Sequence, residues 1–255
     1  MRFRTRVEEA PTEERLRELV ARARDEGAGE VLLETTHEAG DAWLRVGFSE
    51  VARVLVAPVD TLEQRLAGAR EASFGSIHVQ SDDVDAVVRA VRQFVPRLPG
   101  GSGGSVVVPP REGWTAVYDE LCDREPEMLR RLARELSDRM GAVVVALGLE
   151  EGAAVRYIAY ERGRIVDEYL SVPEYHGPLP PGDVVALGAN PRVMARLTGA
   201  DPEDVRRAAP TAASTADLAP GPELLADLAA VLGIEGGDHG YVAAVEIPGA
   251  ARIAR

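Results

Sequence analysis

Residues 125–170 read EPEMLRRLARELSDRMGAVVVALGLEEGAAVRYIAYERGRIVDEYL. From Glu125-Pro126 onward, Met128, Leu129, Leu132, Leu136 and Met140 form one stripe, with arginines and acids opposite and Gly141 at the stop, so the spacing predicts an amphipathic helix. Three apolar or alternating runs follow, at 142–149, 154–160 and 164–170. Between them stand Glu150-Glu151-Gly152 and Glu161-Arg162-Gly163, which suit hairpin turns. A helix followed by an antiparallel meander places the chain in the α+β class.

Upstream of this stretch, Thr12 is a good N-cap for a helix carrying Leu16, Leu19, Val20 and Ala23 and ending at Gly27. Short runs at 31–36, 43–48 and 51–57 predict a second antiparallel meander. Asp60 can cap a helix with Leu62, Leu66 and Ala69; a strand follows at 77–80, and Val84, Val87, Val88, Val91 and Val95 recur at helical spacing. Pro96 to Gly104 then reads PRLPGGSGG, a composition suited to turns or a linker. The boundary is therefore expected here: an N-terminal domain over 1–96, a Gly/Pro-rich linker over 97–112 and a C-terminal domain over 113–255, each with helices on one face of an antiparallel sheet. A shift of 111 residues aligns Ala42, Arg45, Glu50 and Arg53 with Ala153, Arg156, Glu161 and Arg164, which raises the expectation of an internal duplication. Downstream, short helices are expected near 192–197 and 202–208, a longer one around Leu224 to Leu232, and a last strand over 241–247.

The composition narrows the functional classes. All 29 basic residues are arginine, so no Schiff-base lysine, pyridoxal-phosphate attachment, Ser-Lys dyad or P-loop lysine is available in this chain. The absence reads first as the codon bias of a GC-rich genome. One cysteine, Cys122, allows neither an internal disulfide framework nor a multi-cysteine metal site. A net charge of −13 opposes binding to nucleic acid or anionic membrane. No apolar run reaches the roughly 18 residues of a membrane span. The start, Met1 to Arg6, lacks the apolar region of a signal peptide. A cytoplasmic protein without membrane or nucleic-acid partners is expected.

Motifs for chemistry are sparse. His37, His78, His176 and His239 form no local metal pattern. The segment SIHVQSDDVD around His78 resembles the opening strand and helix of a glyoxalase-type module, which implies a divalent metal at the strand histidine; the later strands of that family do not follow, and no metal is expected. His239, in Gly236-Gly237-Asp238-His239-Gly240, reads as exposed loop polarity, because consecutive side chains seldom converge as base and orienter. No serine sits in a nucleophile elbow, Cys122 reads as a core filler, and the helices about residues 190–208 are too acidic for base recognition. Four of the six tyrosines lie within Tyr157 to Tyr175, beside carboxylates. Asp167, Glu168, Tyr169, Tyr175 and His176 are the candidate binding surface, since tyrosine gives rigid amphipathic contact area.

The pattern Gly113-Trp114-Thr115-x-x-Tyr118-Asp119-Glu120, then Tyr160-x-x-Gly163-x-x-Val166-Asp167-Glu168-Tyr169-x-Ser171-x-Pro173, resembles an uncharacterised bacterial α+β domain family of unknown function. Where that family more often carries an acidic His-Asp-Ser-Asp turn, this chain has Leu149-Glu150-Glu151-Gly152. The order of elements from Val106 is similar to longin and roadblock-like domains, which implies a docking platform by analogy of fold alone. The expected function is that of a non-enzymatic cytoplasmic interaction or regulatory protein, an acidic immunity-like binder being one version, with a protein partner and no cofactor. The alternative is a small-molecule or metal-dependent enzyme whose site gathers distant residues, for example His78 or His176 with Asp167 or Glu168.

Overall fold

The structure is a computed structural model that describes residues 2–7, 11–35, 42–51, 54–58 and 73–254. Two compact units divide between Glu71 and Ala72. The mixed α+β class holds.

In the first unit, strands β1 (Arg2–Val7), β2 (Glu30–Thr35), β3 (Ser49–Val51) and β4 (Val54–Pro58) form a sheet in the order β1-β2-β4-β3. β1 and β2 are parallel, and helix α1 (Glu13–Asp25) makes the crossover between them. Thr12 caps α1 by accepting the Arg15 N–H at 3.2 Å, as its sequence position predicts. The buried stripe Leu16, Leu19, Val20 and Ala23 packs with Phe3, Val31, Leu33, Trp43 and Phe48. Residues 42–45 form a helical turn instead of the expected strand, and the expected strand over 51–57 is divided between β3 and β4. The predicted helix after Asp60 lies outside the described residues.

The second unit is one seven-stranded antiparallel sheet in the order β10-β9-β8-β5-β7-β6-β11. Its strands are β5 (Phe74–Gln80), β6 (Ser105–Arg111), β7 (Trp114–Asp119), β8 (Val143–Glu150), β9 (Ala154–Glu161), β10 (Arg164–Leu170) and β11 (Ala251–Ile253). β5 is central and pairs with both β7 and β8. This overturns the boundary expected after residue 96: residues 74–94 carry the strand on which the larger sheet is assembled. The Gly/Pro-rich stretch is a pinned loop rather than a linker. Ser102 and Ser105 hydroxyls donate to the Asp119 carboxylate at 2.9 and 2.5 Å, and the Gly103 N–H donates to Glu120 at 3.1 Å.

Helices cover both faces of this sheet, not one. On the first face, α2 (Val84–Phe94), α3 (Glu120–Arg124) and α4 (Pro126–Met140) bury valines and leucines against Ile77, Val117, Val144 and Ile158. α4 begins at Pro126, buries Leu129, Leu132 and Leu136, and stops at Gly141, in agreement with its sequence pattern. On the second face lie α5 (Pro181–Ala186), α6 (Pro191–Thr198), α7 (Pro202–Ala208), α8 (Gly221–Val231) and α9 (Tyr241–Ala244). Successive residues of β8 therefore serve opposite cores: Val144 and Ala146 face α4, whereas Val145, Leu147 and Leu149 face the second group. The β9–β10 hairpin turns at Arg162-Gly163, both left-handed at φ +51° and +73°, which matches the twist of the strands.

The expected strand over 241–247 is a helix and turn. Tyr241, Ala244 and Val245 pack together on β6 and β7, at the i, i+3, i+4 spacing of a helical face. The duplication is not supported by conformation, since Ala42 and Arg45 are helical while Arg156 pairs within β9.

Candidate functional site: a groove beside the Tyr118–His239 stack

β7 alternates across the sheet, so Thr115 and Val117 face α2 while Trp114, Ala116 and Tyr118 face the C-terminal helices. His78 pairs with Ala116 on the neighbouring strand and shares that face. There the sheet, α8 and the segment after it bound a groove of about 590 Å³. Trp114, Ala116 and Tyr118 form its floor, Ala226, Ala229, Ala230 and Gly233 one wall, and an Arg111–Glu235 ion pair joins the two sides at the rim.

Tyr118 organises the inner end. Its ring stacks on His239 at 5.1 Å between centroids and 13° between planes, and its hydroxyl donates to the Gly236 carbonyl at 2.8 Å. Burial pushes the phenol's pKa up, so it stays protonated. The loop passes so close that a Cβ on Gly236, which sits at φ +81°, would overlap the Tyr118 oxygen. His239 Nδ1 lies 3.1 Å from Asp238 Oδ1, and its Nε2 is buried without a hydrogen-bond partner. The consecutive Asp238 and His239 do converge, contrary to the sequence expectation: glycines at 236, 237 and 240 let the loop press against Tyr118, Leu147 and Asp123.

His78 stands edge-on to Tyr118 at 6.3 Å. Its Nε2 is 2.9 Å from Ser76 Oγ, and its Nδ1 is buried without a partner. Complete burial, reinforced by the neighbouring His239, lowers its pKa from 6.5 to about 3 and keeps the ring neutral. Nearby, Asp123 accepts the N–H groups of Gly75 at 3.1 Å and Tyr241 at 2.9 Å, tying β5 to the start of α9; burial raises its pKa to about 6.

The five residues nominated from sequence do not form one surface. Asp167 is buried, accepting the Tyr157 hydroxyl at 2.6 Å and the Asn190 N–H at 3.0 Å. Tyr169 is wholly buried, stacked on Tyr157, with its hydroxyl on the Pro210 carbonyl at 2.6 Å. Glu168 takes the opposite face and pairs with Arg130 of α4. The alternation of β10 separates these neighbours, and the tyrosines serve as core rather than contact area. Tyr175 and His176 lie elsewhere, on the β8–β9 turn. The Tyr175 hydroxyl donates to Glu151 at 2.7 Å, and His176 pairs with the buried Glu150, which also meets Arg156 at 2.7 Å. Burial alone would raise the Glu150 carboxyl, but His176 and Arg156 together hold it below its ordinary pKa.

Among the described residues, no group of three or more His, Cys, Asp or Glu side chains could hold a metal ion, and no helix is long and apolar enough to cross a membrane. No family model, curated protein or solved structure matches this chain. The groove is hidden in the sequence because its lining joins distant segments, Val108 to Tyr118 on the strands with Ala226 to Ile247 near the other end of the chain. The available signals were Trp114 and Tyr118 alternating on one strand, and three glycines within five residues around Asp238-His239.

Proposed function

We propose that this is a regulatory binding protein that takes a small organic molecule in the groove between β6–β7 and α8. The observation that carries the reading is the groove itself: about 590 Å³, floored by Trp114 and Tyr118 and walled by alanines. That volume lies within the range of small-ligand sites. Binding is favoured over catalysis by the placement of His239. A general base must come within hydrogen-bond reach of its substrate, and the free nitrogen of this ring is buried in the wall. The regulatory expectation is kept, and its site moves from the Asp167–His176 segment to the second face of the sheet.

Ala230 is exposed at the groove wall, so Ala230→Trp fills the space without overpacking the core. Native mass spectrometry of the full chain, purified from its host, is expected to show a small-molecule adduct on the wild type that the variant loses. An adduct retained at equal occupancy in Ala230→Trp, or its absence from both proteins, overturns the reading.

A further inference from the structure

The groove is electronegative for two independent reasons. First, the carbonyl-bearing end of α8 lies in it, represented by Ala229, Ala230 and Gly233, and the last turn of that helix carries no basic residue. The partial negative charge of the helix terminus is therefore not offset by the helix's own side chains. Second, three acids, Glu112, Glu235 and Asp238, line the same space, against one arginine. Arg111 is engaged by Glu235, and His239 by Asp238. Glu112 has no ion-pair partner among the described residues. It leans from the β6–β7 turn toward the end of α8, where its Oε2 lies 3.9 Å from the position a Cβ on Gly233 would occupy. A carboxylate beside a helix C-terminus is an unfavourable pairing that a cation between them reverses.

We propose that the ligand of this groove is an organic cation, with its ammonium or guanidinium group between Glu112 and the end of α8 and its apolar body beside Trp114 and Ala230. The proposal rests on the groove being a ligand site. An anionic ligand would meet the acids and the helix terminus with like charge, and a neutral one would gain no attraction from the exposed Glu112.

Three probes of one shape and different charge separate the alternatives: tyramine, para-ethylphenol and para-hydroxyphenylpropionate. Each is titrated into the full chain while the Trp114 indole N–H resonance is followed by NMR. Tyramine is expected to bind about tenfold more tightly than the neutral phenol, with the anion weaker still. Glu112→Gln should remove most of that preference, and raised salt should shrink it. Equal binding of the neutral or anionic probe, with Ala230→Trp abolishing it, overturns the charge assignment while leaving the groove as a ligand site. If no probe moves the Trp114 resonance, or if Ala230→Trp leaves all three titrations unchanged, the groove reading fails and the proposal with it.

Discussion

His78 is a neutral imidazole on the central strand of a sheet, and its protonation is linked to the stability of the fold. The unfolded chain takes up this proton near pH 6.5, whereas the folded chain does so only near 3. Between those values the unfolded state binds more protons, so stability falls as pH drops through the window, by up to about 1.4 kcal/mol per pH unit. Asp123 acts in the opposite sense. Its pKa rises from 3.8 to about 6, so it binds its proton more readily when folded, and its contribution is lost as pH rises through that range. The two trends overlap in mildly acid solution, and a difference measurement separates them. His78→Gln is expected to lower the slope of unfolding free energy against pH by up to about 1.4 kcal/mol per pH unit between about 6 and 4, uncovering the opposite trend of Asp123, measured by urea denaturation at several pH values. An unchanged slope would mean that the ring is protonated in the fold. The sequence showed a histidine in mid-strand; that it faces a second helical layer, and is therefore dry, depends on helices far along the chain.

At the scale of elements, the segment between β10 and α5 is anchored at Ser171, which exchanges hydrogen bonds with Val155, and further along by Tyr175 on Glu151 and His176 on Glu150. The hydrogen bond to Glu150 raises the pKa of His176, so this attachment is strongest below the ordinary value near 6.5 and is lost as pH rises through the raised one. His176 is exposed, so the effect belongs to local opening rather than to global stability. Amide hydrogen exchange over residues 174–180, corrected for its intrinsic pH dependence, is expected to show less protection above the His176 pKa than below it. His176→Ala should remove that difference. Protection that ignores both pH and the substitution would place the anchoring elsewhere. Legibility differed between elements for physical reasons. α4 was readable because one face is apolar and its proline and glycine stand at the right ends. The 241–247 segment is ambiguous in sequence, because Tyr-Val-Ala-Ala-Val-Glu-Ile fits both a helical and an alternating pattern over so few residues.

For the whole molecule, the division at Glu71 and Ala72 has a direct consequence. Residues 72–255 contain every strand of the larger sheet and both covering layers, so this fragment is expected to fold alone with one cooperative transition in calorimetry. A fragment starting at residue 97 lacks β5, leaving β7 and β8 without their shared neighbour, and should fail to give one. The opposite result would restore the boundary at the Gly/Pro-rich stretch. That stretch misled because glycine and proline report irregular backbone, whether it links domains or turns tightly within one. The candidate site was legible only as separate parts: Trp114 and Tyr118 within a strand, and Asp238-His239 among glycines. By itself the sequence determined the α+β class, the ends of the longer helices and the β8–β10 meander, because these follow from side-chain periodicity and local backbone preference. Tertiary structure alone decided the strand order, the buried state of Asp167 and Tyr169, and the meeting of β7 with α8 that makes the groove. Those depend on contacts between distant segments, and a local pattern of residues carries no record of which segments will meet.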